Sequence, residues 1–333
     1  MAYVQPTISR NVLLLGKQEL PASPGTEAIG ITGSNALPID GNMVPYQQDI
    51  KMITVNPVRP THTKRKKIVG RSLVNLSFDA FLQGSGGSGG VKPWFVFLLE
   101  ACGLSITNTA TAGGSTSWVL KPTNTPTSVS FHYYAGNVLQ KVLGAYGNCK
   151  FNFPAGDAPK MNFTFTGIWV DHAGATPPSP TYPTQYVRQV ELEGFTLTPG
   201  VVGGGAWVDA IVPSYTFDLG VKNNEREDAN SAKGFYGLFE GDRVPMVDAK
   251  IERGLDLTAF NPTALAQNAT DVHVTWTHGS NAIGSKVVFD LPTTQVETPN
   301  EEDLNGRKVW GTKFSGTSDT DNGDLSITFY EKV

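Results

Sequence analysis

The sequence predicts an all-β protein with one or two short helices, a sandwich or barrel domain duplicated in tandem. Three observations carry this. Apolar and polar residues alternate with period two in many short segments, as strands with one buried face require. Gly (36) and Pro (22) are abundant while charged residues make up only 17% of the 333 residues, the profile of a turn-rich β protein. The two halves also carry similar short motifs in the same order.

Taken in order, residues 1–45 read as an irregular, Pro- and Gly-rich arm. Its apolar run Val12–Leu15 is too short for a secretory signal. The first domain spans 46–171. Within it SLVNLSFDAFL (Ser72–Leu82) alternates Val74, Leu76, Phe78, Ala80 and Leu82 against Asn75, Ser77 and Asp79, a half-buried strand. KPWFVFLLEACG (Lys92–Gly103) predicts a short helix, with Pro93 at its start and Gly103 at its stop. Thr107–Ser117 reads as a polar loop. The clearest hairpin is Gly147–Val170. Cys149, Phe151 and Phe153 on one limb, and Met161, Phe163 and Phe165 on the other, form an oily face. Lys150, Asn152, Asn162, Thr164 and Thr166 form a wet face, and PAGDAP (Pro154–Pro159) makes the turn.

HAGATPPSPTYPTQ, residues 172–185, reads as a Pro-rich linker. The second domain spans 186–333, with strands predicted in QVELEGFTLTP, SYTFDLGV, DVHVTWTH, KVVFDLP and DLSITFYEK. A second helix is predicted over Asp256–Asn268, broken or restarted at Pro262. The repeat is read from SFHYYAGN and HVTWTHGSN, from Gly147–Pro154 against Gly284–Pro292, and from TFTG and KFSG. It sets His132 against His273.

Composition excludes several classes. A formal net charge of −4 argues against a general nucleic-acid binder. Two cysteines make no disulfide framework, and no stretch approaches the roughly 20 apolar residues of a membrane span. Gly84–Gly89 spells a literal G-x-G-x-x-G, but three residues intervene before Pro93 and the required downstream acid is missing, so it reads as a flexible loop. The five histidines show no metal spacing, and no Ser/His/Asp set can be assembled. NNEREDAN, NEEDLN and DTDNGD lack the closing Glu of a calcium loop and read as exposed turns. No catalytic, cofactor or metal residue is expected. THTKRKK is the only dense basic run. Its Lys64, Arg65, Lys66 and Lys67, opposed by Glu225, Asp228, Glu301 and Asp303, make candidate contacts between subunits.

The segments GNVLQKVLGAYGNCKFNFPAGDAPKMNFTFTGIW and SYTFDLGVKNNERED…GDRVPMVDAKIE…KVVFDLP…EEDLNGRKVWGTKFSGTSDTDNGDLSITFYE resemble the tail tube (major tail) proteins of bacteriophages with long non-contractile tails. The resemblance covers roughly residues 68–333. It implies a structural virion protein, assembled in the host cytoplasm, whose rings stack into a conduit for DNA. The rings would be hexamers, or trimers with pseudo-sixfold symmetry, and the length here favours the duplicated trimeric type. Tape measure and tail terminator proteins are the partners implied, with DNA in transit but not specifically bound. Lys150, Asn152, Asn162, Thr164 and Thr166 would then be lumen or polar-face residues. The competing reading is a phage or secreted β-sandwich binding module for a receptor or carbohydrate. It requires aromatic clusters on loops, whereas the Trp and Phe residues fall mostly in alternating core positions.

Overall fold

The computed structural model describes residues 12–40, 47–55, 58, 63, 65–84, 92–110, 116–184, 192–199, 211–231, 234–253, 260–279, 286–317 and 323–331. The chain is all-β with two short helices. Its first half contains β1 (Val12–Gln18), β2 (Gln47–Ile53), β3 (Ile68–Phe81), α1 (Val96–Glu100), β4 (Leu104–Ala110), β5 (Thr116–Pro122), β6 (Val129–Ala135), β7 (Val138–Pro154), β8 (Lys160–Trp169) and β9 (Ala173–Gly174). The second contains β10 (Leu192–Pro199), β11 (Ser214–Asp218), β12 (Val221–Glu227), β13 (Phe235–Arg243), β14 (Met246–Glu252), α2 (Pro262–Gln267), β15 (Asp271–His278), β16 (Val287–Val296), β17 (Asn300–Leu304), β18 (Arg307–Gly316) and β19 (Ser326–Tyr330).

All the strand pairings are antiparallel, and one set of them forms a continuous eight-stranded sheet in the order β2-β3-β8-β7-β11-β14-β18-β17. Only the C-terminal part of β7 belongs to it. Near Gly144, at φ 59, the ladders to β6 and β8 both shift register, and before the bend β7 keeps only Val142 and Leu143 on β8 and pairs mainly with β6 and β9. A residue with a Cβ avoids that backbone conformation, so glycine suits the bend. A second layer, built from β1-β6-β7 and from β10-β15-β16-β19-β5-β4, covers the oily face. Phe78 and Phe165 meet Phe131 across the layers with ring centroids 6.1 and 5.0 Å apart, and Phe153 and Phe217 meet Trp276 at 6.3 and 5.6 Å. Buried residues of both halves belong to one contiguous hydrophobic cluster.

The pairings of the first half recur in the second. β1–β6, β2–β3, β3–β8, β6–β7, β7–β8 and β7–β9 have as counterparts β10–β15, β11–β14, β14–β18, β15–β16, β17–β18 and β16–β19. Each set has its helix just before β6 or β15 or, in the first half, before the inserted β4–β5 hairpin; the second half instead inserts the β12–β13 hairpin before β14. This correspondence keeps His132 and His273 on equivalent strands but moves the sequence match by one strand. Residues 287–296 take the place of the N-terminal part of β7, and the counterpart of Gly147–Pro154 is the β17 region. The match rests on CKFNFP and VVFDLP alone, and so short an alternation does not specify which strand of a unit it belongs to.

Three elements depart from the expectation. Residues 12–18, expected within an irregular arm, form β1, with Leu13–Leu15 buried and the strand paired to β6 more than a hundred positions away. Its apolar run is buried from both sides and therefore does not alternate. The expected polar loop at Thr107–Ser117 is partly strand, because Leu104–Ala110 and Thr116–Pro122 pair as a two-stranded ribbon. The helix expected over Lys92–Gly103 contracts to Val96–Glu100, flanked by turns, and Gly103 ends it at φ 81. In the Pro-rich segment, Ala173–Gly174 pairs with β7, and the Thr181 N–H donates to Gly33 C=O at 2.8 Å.

Candidate functional site

The most distinctive surface is the outward face of the eight-stranded sheet. Inward residues of β3, β8, β7, β11 and β14 are apolar and buried, and the residues between them are polar. Alternation along each strand and direct pairing across strands place Asp79, Asn162, Lys150 and Asp218 in one row. Lys160, Asn152, Thr216, Asp248 and Lys313 form another. All five residues expected on the wet face, Lys150, Asn152, Asn162, Thr164 and Thr166, lie here, and none is buried.

The charges on this face are matched locally. Lys160 Nζ donates to Asp40 Oδ2 at 2.6 Å, and Lys250 Nζ lies 2.9 Å from Glu302. Lys150 stands directly opposite Asp218, and Lys313 opposite Asp248. Asn162 donates to Asp79 at 2.6 Å, Asn148 to Asp218 at 2.7 Å, and the Thr166 hydroxyl to Asn75 at 2.8 Å. Each cation thus has a carboxylate beside it. The face is wet without being a cationic groove, and a passing polyanion would find little net attraction.

The candidate subunit contacts are distributed differently. Arg65, Lys66 and Lys67 are exposed between β2 and β3, and Lys64 lies outside the described residues. That hairpin also exposes Met52, Ile53, Ile68 and Val69. Glu225, on β12, lies beside the same hairpin and pairs with Arg71, while neighbouring Glu227 reaches Lys51 at 3.8 Å. Asp228 accepts from Asn230 N–H and the Ser231 hydroxyl, each at 2.9 Å, and so serves its own turn. Glu301 pairs with Arg253, and Asp303 accepts from Gly306 N–H at 3.0 Å. Glu301 and Asp303 sit on β17, at the far edge of the sheet from β2. The glycine-rich loop at 85–90 lies outside the described residues.

Other polar clusters are structural. Glu27 bridges His132 Nε2 and Lys141 Nζ, each at 2.8 Å, and His273 Nε2 lies 2.5 Å from Asp290. Burial lowers the His132 pKa, and Glu27 opposes that shift. Cys102 and Cys149 are fully buried free thiols whose burial pushes their pKa values well up, so they are poor nucleophiles. Among the described residues no group of three or more His, Cys, Asp or Glu side chains converges for a metal. No helix among them is long and apolar enough to cross a membrane.

One titrating group escaped the sequence reading. Glu240, on β13, borders a cleft of ≈ 470 Å³ with Tyr146, Phe239 and Arg243. Its Oε2 is buried without a hydrogen-bond partner, and Arg243, engaged with Asp324, comes only to 3.9 Å of Oε1. A Cβ on Gly103 would sit 2.1 Å from Oε1, so the carboxyl occupies the space that glycine leaves open. Burial raises the Glu240 pKa to about 7, against the pull of Arg243. The folded value lies above the ordinary 4.5, so the stabilisation is fully present below pH 4.5 and is lost as pH rises through about 7. The span is worth about 2–3 kcal/mol after allowance for solvent screening. Wild-type protein should therefore melt at a lower temperature at pH 8.5 than at pH 6, and Glu240→Gln should flatten that difference. Equal pH slopes in the two proteins would assign the effect elsewhere.

No family model matches the chain, and no curated protein sequence matches it significantly.

Proposed function

We propose that this chain is a structural subunit of a phage tail tube, assembling into stacked rings that enclose a conduit for DNA. The observation that supports this most is the eight-stranded sheet itself. Two four-stranded units with the same pairings stand side by side, oily on the covered face and wet on the open one. A ring of three chains would set six such units around a common axis, with the wet faces toward the lumen. A large closed barrel holds water rather than a packed core, so its inner face must be polar. It must also let a polyanion slide, and the locally matched charges of Lys150, Lys160, Lys250 and Lys313 suit that. In this reading the protein resides in the virion tail after assembly in the host cytoplasm, with tape measure and terminator proteins as neighbours.

Negative-stain microscopy of purified protein tests the reading. Rings or tubes with a central channel are expected, and native mass spectrometry should find three chains per ring. A protein that stays monomeric at high concentration, without rings, would favour the binding-module alternative, and six chains per ring would reject the trimer.

Stacking adds a further expectation. The exposed β2–β3 hairpin carries Arg65, Lys66 and Lys67 near Ile68 and Val69, a combination suited to docking on the next ring. Each exposed ion pair is worth only about 0–1 kcal/mol, but a ring repeats it. Replacing Lys64, Arg65, Lys66 and Lys67 with Ser should slow tube growth at low salt, and the difference should shrink as salt rises. Unchanged growth at low salt would remove the run from intersubunit contacts.

A further inference from the structure

The two outer strands of the eight-stranded sheet are not arbitrary edges. The sheet has a seam at its middle, where residues 150–154 of β7 pair with residues 214–218 of β11 in unbroken antiparallel register. The seam joins the last strand of the first four-stranded unit to the first strand of the second. In the first unit, β2 holds the place that β11 holds in the second: each pairs with the long strand preceding the helix, β3 or β14. In the second unit, β17 holds the place of the C-terminal part of β7, because each forms a hairpin with the strand that follows it, β8 or β18. The edges left open at the two ends of the sheet are therefore counterparts of the two strands joined at its centre.

Among the described residues, β2 has no ladder partner other than β3, and β17 none other than β18. Both strands are largely exposed. An open edge presents a row of unpaired backbone N–H and C=O groups, which favours pairing with another chain. We infer that β17 of one copy pairs antiparallel with β2 of the next, reproducing between chains the β7–β11 seam found within the chain. This rests on the tube reading for its closure, while the edge pairing itself needs only a second copy of this chain.

Charge agrees with the direction. β17 presents Glu301, Glu302 and Asp303, and β2 presents Lys51, which Glu227 of its own chain approaches only to 3.8 Å. Glu301 and Glu302 each have a cation from their own chain, and Asp303 stands opposite Lys308 and accepts from the Gly306 N–H. Joining β17 to β2 is a head-to-tail contact between different surfaces. Such a contact closes into a ring when its rotation divides a full turn and otherwise makes an open filament. The internal seam shows the geometry of one such step, and repeating it keeps the wet faces on one side of the growing sheet.

Paired cysteines on the two edges test this. Gln48→Cys or Asp49→Cys is combined with Glu302→Cys or Asp303→Cys, giving four double variants that span both faces and neighbouring registers. The native Cys102 and Cys149 are buried and should stay silent. Each variant is concentrated, oxidised and run on a non-reducing denaturing gel, with parallel microscopy and a melting curve to verify folding. At least one pair should give a covalent ladder that single-cysteine controls do not, and in rings the ladder should end at the closed species. Rings without cross-links in any of the four would overturn the β17–β2 pairing and leave the tube reading standing. Cross-linked open chains without rings would keep the pairing and remove the tube. Folded protein showing neither would overturn both.

Discussion

Phe165→Asp should leave no folded protein. Phe165 is fully buried on β8, with ring centroids 5.0 Å from Phe131, 5.9 Å from Phe163 and 6.0 Å from Phe78. The side chain spans both layers, since Phe131 lies on β6 and the other two rings on the opposed sheet. Its own sheet makes room for it. A Cβ on Gly147, one strand away, would meet the Phe165 ring at 2.5 Å, so the ring lies over that glycine. Truncating a buried phenylalanine costs about 3–5 kcal/mol, and an unpaired carboxylate in the same place adds several more. Together these rival the whole stability of an ordinary domain, about 5–15 kcal/mol. The control is Thr164→Asp, one position away on the exposed wet face, which should fold and melt near the wild type. Circular dichroism and the soluble yield read the difference. A Phe165→Asp protein melting within a few degrees of the wild type would place that residue outside the core.

The contrast between those neighbours shows what was legible in the sequence. Wherever a strand has one face in oil and one in water, as in β3, β8 and the C-terminal part of β7, the alternation alone fixed the buried set. The wet-face residues were legible for the same reason. What escaped depends on distance in sequence. The two faces of β1 pack into different apolar clusters, Leu14 into the main core and Leu13 and Leu15 against Ala36, Tyr134 and Leu139, so its leucines run together and give no period. The seam between β7 and β11 joins strands some sixty positions apart, and no local pattern encodes which edge meets which. Glu240 sits in GLFEGDR, a stretch to which the local pattern assigned no element. Only the packing of that ribbon near Gly103 buries its carboxyl. Glu225 looked like an exposed acid free for another subunit, yet its partner Arg71 comes from a strand of the first half.

Glu19 is the extreme of that class, and its removal should be the second most damaging change. It follows β1 directly in a stretch that reads as loop, and it is 3% exposed. Four donors converge on its carboxylate. Oε1 accepts from the Ser130 hydroxyl at 2.6 Å and from Gly144 N–H at 2.8 Å. Oε2 accepts from the Ser128 hydroxyl at 2.6 Å and from Gly25 N–H at 2.7 Å. These donors come from the loop after β1, from the start of β6, and from the bend where β7 leaves one layer for the other. Glu19→Ala leaves two hydroxyls and two backbone N–H groups without their acceptor, and each buried orphan costs about 1–3 kcal/mol unless water reaches it. Partial hydration of the space left behind brings the expected loss to about 3–5 kcal/mol, the low end of what four orphaned donors would cost. Glu19→Gln keeps one acceptor oxygen but turns an amide donor toward one serine hydroxyl, which can accept, and one backbone N–H, which cannot, so it should recover only part of the loss. Denaturant unfolding measures the loss, and hydrogen exchange localises it, with faster exchange expected at Gly25 and Gly144 before the rest of the sheet. The bend at Gly144 sets the angle between the layer carrying the wet face and the layer above it. In the tube reading, Glu19→Ala protein held below its melting point should therefore lose ring assembly before it loses β-structure. A Glu19→Ala protein within about 1 kcal/mol of the wild type, with unchanged exchange at Gly144, would show that the bend holds without this carboxylate.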